Sequence, residues 1–155
     1  MVGKRENYNE CCETCPSKSK KKSVIFGKFK REVLYWDCRK RQIIYIVFCR
    51  ICRSQGYETV YIGESKNQIK TRFTWARKAV NKFDHSKPKE HTNLERHFAL
   101  DHNITDPILF QKKIEIAIIS QPILNNRTRG NIETIWKNKL ISATKKMKKV
   151  RVLNK

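Results

Sequence analysis

Two pairs of residues have the types and spacing that hold a metal ion: Cys49-x2-Cys52, and His97-x4-His102 further along the chain. Both spacings are those of structural zinc sites, in which four sulfur and nitrogen ligands close a tetrahedron around Zn2+. Either pair alone arises easily in a basic, cysteine-containing chain, where the competing reading is two thiols at the edge of a core and two solvent-facing histidines. The two pairs together favour zinc, with Cys38 as an alternative to one histidine. Cys11, Cys12 and Cys15 form a second group, with Cys38 the only other unclaimed cysteine. A flexible thiol-bearing arm outweighs a second zinc site there.

The elements that must position these residues follow from hydrophobic periodicity. The run Gln42 to Phe48, rich in branched and aromatic residues, predicts a buried strand, and Glu58 to Gly63 a second. The Arg-, Ser- and Gly-containing stretch between them predicts a long hairpin loop holding the cysteine pair. After Ser65, a residue suited to capping, Ile69, Phe73, Ala76 and Val80 recur at helical spacing. A short second helix is expected to carry Leu94, Phe98 and Leu100. Lys113 to Ile119 predicts a third strand, and a third helix follows over 131–141 with Ile132, Ile135, Trp136 and Leu140 on one face. A zinc ion on the two pairs would clamp the second helix to the sheet beside the hairpin. The order β-β-α-α-β-α predicts an α+β domain, a small three-stranded, mainly antiparallel sheet flanked by helices.

A chain of 155 residues suits one domain. Residues 1–37 read as a basic, cysteine-containing N-terminal arm, loosely ordered, and 38–155 as the folded domain. Thirty-five Lys and Arg against fourteen Asp and Glu give a formal charge of +21, spread along the chain, which attracts polyanions. No apolar span or basic amphipathic helix with a wide greasy face is visible, so a membrane partner is not expected. The N-terminus "MVGKRENYNECC" lacks the apolar stretch of a secretory signal. A reducing compartment is therefore expected, in which the six cysteines serve as thiols or metal ligands.

The strands and helices also carry a series of short motifs: Ile43-Ile44-Tyr45 on the first strand, Tyr61-Ile62-Gly63 on the second, Arg72 in "IKTRF", Glu133 in "GNIETIWKNKL", and Asn154 in the closing "VLN". In this order, residues 43–154 resemble a GIY-YIG endonuclease domain of the version found in Penelope-like retroelements, with the leading glycine of the first half-motif replaced. The resemblance implies the GIY-YIG nuclease fold and a phosphodiesterase that nicks one DNA strand with a single Mg2+ or Mn2+. It implies Glu133 as ligand of that ion, Arg72 as the cation at the scissile phosphate, Tyr45 as base or water positioner, Tyr61 as a second orienting hydroxyl, and Asn154 as the terminal signature residue. It carries a Cys-Cys-His-His set onto Cys49, Cys52, His97 and His102, which implies a structural Zn2+. The implied partners are DNA with little base specificity, the element's RNA, and a reverse transcriptase in the parent polypeptide, all in the nucleus.

One position departs from the pattern. Many relatives carry His or Tyr one helical turn after the arginine, where this chain has Ala76. The base would then be Tyr45 or a loop histidine such as His85, or activity would be weak. The alternatives are a zinc-containing nucleic-acid-binding module without chemistry, or a repair or restriction nuclease of the same superfamily. Each residue also has an ordinary reading: strand tyrosines as packing, Glu133 paired with Lys137 at i+4, and Trp75 and Trp136 at the core edge, although an exposed Trp75 could stack on a base.

Overall fold

A computed structural model describes residues 12–154. Two short strands, β1 (Ser23–Phe26) and β2 (Phe29–Glu32), form an antiparallel hairpin that turns at Gly27, whose φ of +58° suits glycine. The main sheet begins with β3 (Ile43–Cys49), followed by a short helix α1 (Arg50–Ser54) and β4 (Glu58–Ser65). Helix α2 (Ile69–Asn81) and a one-turn helix α3 (Asn93–Arg96) come next, the latter running into a π-helical turn over His97–Asp101. The chain continues through α4 (Pro107–Lys112), β5 (Ile114–Ile118), α5 (Asn126–Thr144) and β6 (Val150–Val152).

The protein is α+β, as expected, but its sheet has four strands in the order β5-β3-β4-β6. The β3–β4 and β3–β5 pairs are antiparallel, and β6 runs parallel to β4. The fourth strand escapes periodicity because only three residues of it pair, within a lysine-rich tail. Every residue of β3 is buried, because both faces of the sheet are covered. On one face Ile43, Tyr45 and Val47 pack with Ile69, Phe73, Ala76 and Val80 of α2, Leu94 of α3, Phe98, and Phe110 of α4. On the other, Ile44, Ile46 and Phe48 pack with Leu140 of α5 and with Val24 and Phe29 of the β1–β2 hairpin.

The described part of the N-terminal arm, residues 12–37, is therefore not loosely ordered: Cys15 and Trp36 belong to one core and Val24 and Phe29 to the other. Backbone bonds from Ser19 N–H to Ile116 O and from Leu34 N–H to Ile118 O, both 2.8 Å, tie it to β5. Four-residue strands among lysines carry too little apolar sequence to announce themselves. Leu100 and Ile135 are half exposed, so Ile135 does not share the packed face of its helix. The π turn shifts the helical phase before Leu100, and in α5 the packed stripe is Ile132, Trp136, Leu140 and Ala143. Among the described residues no helix is long and apolar enough to cross a membrane.

Phe29→Ala tests the packing of the N-terminal hairpin. It should cost about 3–5 kcal/mol in urea unfolding, as for a buried aromatic. An arm detached from the core would show no change.

Candidate active site and metal centre

The antiparallel register pairs Tyr45 with Gly63 and Val47 with Tyr61. The two tyrosines thus lie on one face of the sheet as diagonal neighbours. The Tyr45 ring lies over Gly63: a Cβ there would sit 2.6 Å from Tyr45 Oη, 2.7 Å from its Cζ and 3.0 Å from Tyr61 Cε1. Gly63 is needed for this close approach, not for an unusual backbone angle. Phe73 of α2 meets the Tyr45 ring edge-on at 5.4 Å. Tyr45 Oη is buried and has no hydrogen-bond partner among the described residues.

Helix α2 brings Arg72 alongside both phenols, without a well-aligned hydrogen bond to Tyr45. Burial pushes both phenols above the usual tyrosine range, and the Arg72 guanidinium opposes the shift without cancelling it. Tyr45 and Tyr61 therefore stay protonated at neutral pH and offer O–H donors. As O–H donors they can position a water or a phosphate oxygen.

Glu133 enters from α5, which packs on the opposite face of the sheet, and reaches Tyr61 electrostatically. Strand β6 pairs only with Glu58, Thr59 and Val60, so the edge beyond them is not covered by a strand. Asn154 closes part of it, accepting from Ile62 N–H and donating to Ile62 O, both at 2.8 Å. Its amide is thus engaged on backbone, which makes Asn154 a positioning residue for the Tyr61–Gly63 segment.

No hydrogen bond or ion pair among the described residues holds the Glu133 carboxylate, so the close pair with Lys137 does not form, although Lys137 still lowers the pKa. Burial raises Glu133 above the usual carboxylate range, and nearby Glu64 adds to the rise.

Three residues of this site were not singled out in the sequence. Glu64 follows the Tyr-Ile-Gly motif and bonds Arg129 of α5 through Nε. Arg129, only 2% exposed, also donates to Ile123 O at 2.9 Å and Asn126 Oδ1 at 2.8 Å. Glu95 is buried in a capping box with Thr92 and acts electrostatically on Arg72 and Tyr61. The capping pattern Thr-x-x-Glu was the available signal for Glu95; nothing local pairs Glu64 with a residue 65 positions away. Ala76 is buried in the core, His85 packs edge-on against Phe83 at 5.1 Å, and Trp75 is 51% exposed. Trp136 is half-buried, with the Arg31 guanidinium 3.8 Å above its ring.

The predicted zinc ligands converge. Cys49 Sγ lies 3.4 Å from His102 Nε2, and Cys52 Sγ lies 3.4 Å from His102 Nε2 and 3.5 Å from His97 Nε2. The two Nε2 atoms are 3.2 Å apart. Bond lengths of about 2.3 Å to sulfur and about 2.05 Å to nitrogen at tetrahedral angles set S···N near about 3.6 Å and N···N near about 3.3 Å. The cluster could therefore hold a metal ion such as zinc.

Residues five apart point about 140° from each other on a regular α-helix. The π turn over His97–Asp101 is what brings His97 and His102 to one centre. His97 Nδ1 meets Asp101 Oδ2 at 2.8 Å, and Arg151 Nη1 donates to the same oxygen at 3.0 Å, which orients the ring as outer partners of a metal-bound histidine do. Burial lowers the pKa of both histidines, keeping them neutral as ligands must be, and pushes the Cys49 thiol up to about 12 in the absence of metal. Cys38 lies in a separate group with Cys12 and Cys15, so it does not replace a histidine; Cys11 lies outside the described residues.

Comparison of the chain with protein-family models, curated proteins and solved structures finds no match.

Two outcomes follow from this geometry. Tyr45→Phe removes a buried hydroxyl without a well-aligned partner among the described residues, so urea unfolding should show stability unchanged or raised by up to about 3 kcal/mol; a loss would mean the hydroxyl is bonded. His102→Ala should lower bound zinc by one equivalent per chain relative to the parent protein, and acidification should release that equivalent because the thiols must give up protons to bind it.

Proposed function

We propose that the protein is a metal-dependent DNA endonuclease of the GIY-YIG fold that nicks one strand by phosphodiester hydrolysis, serving target cleavage by a Penelope-like retroelement. The observation that carries this reading is the buried Tyr45 hydroxyl, which has no well-aligned hydrogen-bond partner among the described residues and is set between Gly63, Tyr61 and Arg72. A buried donor left unsatisfied is costly, and such groups are kept where they serve a ligand. A phosphate oxygen or the attacking water would satisfy it.

Within this reading Arg72 pairs with the scissile phosphate, and its planar fork stabilises the charge that develops on the non-bridging oxygens. Buried Glu95 favours the charged form of the guanidinium electrostatically. Tyr45 and Tyr61 orient the attacking water through their O–H groups. Glu133, whose carboxylate is unengaged, would hold Mg2+ or Mn2+, which supplies Lewis-acid stabilisation of the same charge. Relief of the repulsion between Glu133 and Glu64 favours a cation there. The Cys49-Cys52-His97-His102 centre would hold Zn2+ and fix the segment bearing Glu95 to the end of β3.

The charge of +21 supplies affinity for the DNA backbone with little base preference, and exposed Trp75, three residues beyond Arg72, offers a stacking surface. RNA of the element and a fused reverse transcriptase are the matching partners, and the nucleus the matching compartment. The second reading, a DNA-binding module without chemistry, is favoured by Ala76 at the usual His or Tyr position and by phenols held protonated.

Supercoiled plasmid separates the two. Mg2+ or Mn2+ should convert it to open circles, and Glu133→Ala should slow conversion by about 100-fold or more while DNA binding is retained. Tyr45→Phe should lower cleavage without lowering stability. Binding without nicking in either metal would leave the second reading standing.

A further inference from the structure

Three more cysteines come together away from the zinc centre described above. Cys12, Cys15 and Cys38 place their sulfurs within 4.8 Å of one another, with Cys15 and Cys38 buried. Cys12 Sγ and Cys15 Sγ are 3.4 Å apart, well beyond a disulfide bond of about 2.05 Å. A disulfide would in any case use two sulfurs and strand the third. Thiols are weak hydrogen-bond donors and acceptors, so gathering three of them in one place gains little unless something binds them together.

Backbone N–H groups of Thr14 and Cys15, two and three residues on, face the Cys12 sulfur. The N–H groups of Ile51 and Cys52 face Cys49 in the same two positions. The two Cys-x2-Cys turns are therefore built alike, and the second already belongs to a four-ligand cluster. Trp36 Nε1–H donates to Cys15 Sγ at 3.4 Å, a bond to the ligand atom of the kind that supports a metal-bound sulfur.

We propose that Cys12, Cys15 and Cys38 are three ligands of a second zinc ion, whose fourth position is taken by water. Soft thiolates in tetrahedral array select Zn2+ over hard cations.

The place of Cys38 gives this centre a task. Its carbonyl accepts from Lys70 N–H at 2.9 Å, and Lys40 O accepts from Ile69 N–H at 2.8 Å. These are the otherwise unpaired N–H groups at the start of α2, the helix that carries Arg72. A metal on Cys38 pins the N-terminal segment to the point from which α2 starts. The centre is independent of nuclease chemistry, and metal content judges it whether or not the protein cuts DNA.

The full chain, purified under a phosphine reductant without chelator, should contain two zinc equivalents. Cys38→Ser should lose one and keep the other, and Cys52→Ser should do the same. Retention of the parent zinc content by Cys38→Ser overturns the proposal. Because a cysteine variant can fail to fold, alkylation of the parent protein is the second measurement. Part-exposed Cys12 should resist iodoacetamide in the zinc-loaded protein and react once chelator strips the metal. Equal labelling of Cys12 in both states, read by peptide mass spectrometry, overturns it as well.

Discussion

The close approach of Tyr45 to Gly63 is the contact on which the rest of the site depends. Antiparallel pairing alone would set two side chains opposite each other, but the absence of one lets an aromatic ring lie across the partner strand. That ring then meets Phe73 on one side and leaves its hydroxyl in a space shared with Tyr61 and Arg72. Any side chain at Gly63 would force the ring out of a core in which it has nowhere to go. Register, core packing and the orphan hydroxyl are thus one constraint seen at three levels.

Charge is arranged around this contact with unusual economy for so basic a chain. Of fourteen acidic residues, Glu64, Glu95 and Glu133 all act on the tyrosine–arginine group. Glu64 is held by Arg129, a buried arginine with three partners, so its charge is balanced within the protein. Glu95 is committed to a helix cap. Of the three, Glu133 alone has no close partner among the described residues, and burial together with Glu64 makes its ionised form costly. A carboxylate in that condition is the group that a cation would stabilise most.

Much of this was legible in the sequence where the signal is local. Branched residues from Ile43 to Val47 and the spacing of Ile69, Phe73, Ala76 and Val80 define the hairpin and α2, and the structure buries them as that pattern requires. The Cys-x2-Cys and His-x4-His pairs converge as their spacing suggests. Other parts were hidden because their cause is not local. Strand β6 and the β1–β2 hairpin consist of three or four residues each, stabilised by the sheet and by α5 rather than by their own pattern. The π turn, which decides both the exposure of Leu100 and the meeting of His97 with His102, has no compositional mark. The pairing of Glu64 with Arg129 joins residues 65 positions apart and emerges only when the chain is folded.

The central claim is that a divalent cation, two phenols and a guanidinium share one reaction space at the open edge of β4. Anomalous scattering from crystals grown with Mn2+ tests it most directly. The account predicts a manganese peak at the Glu133 carboxylate, on the side facing Tyr61, with a metal-bound water in hydrogen-bond contact with Tyr45 or Tyr61. Manganese at other carboxylates, with Glu133 left unliganded at saturating concentration, would contradict it.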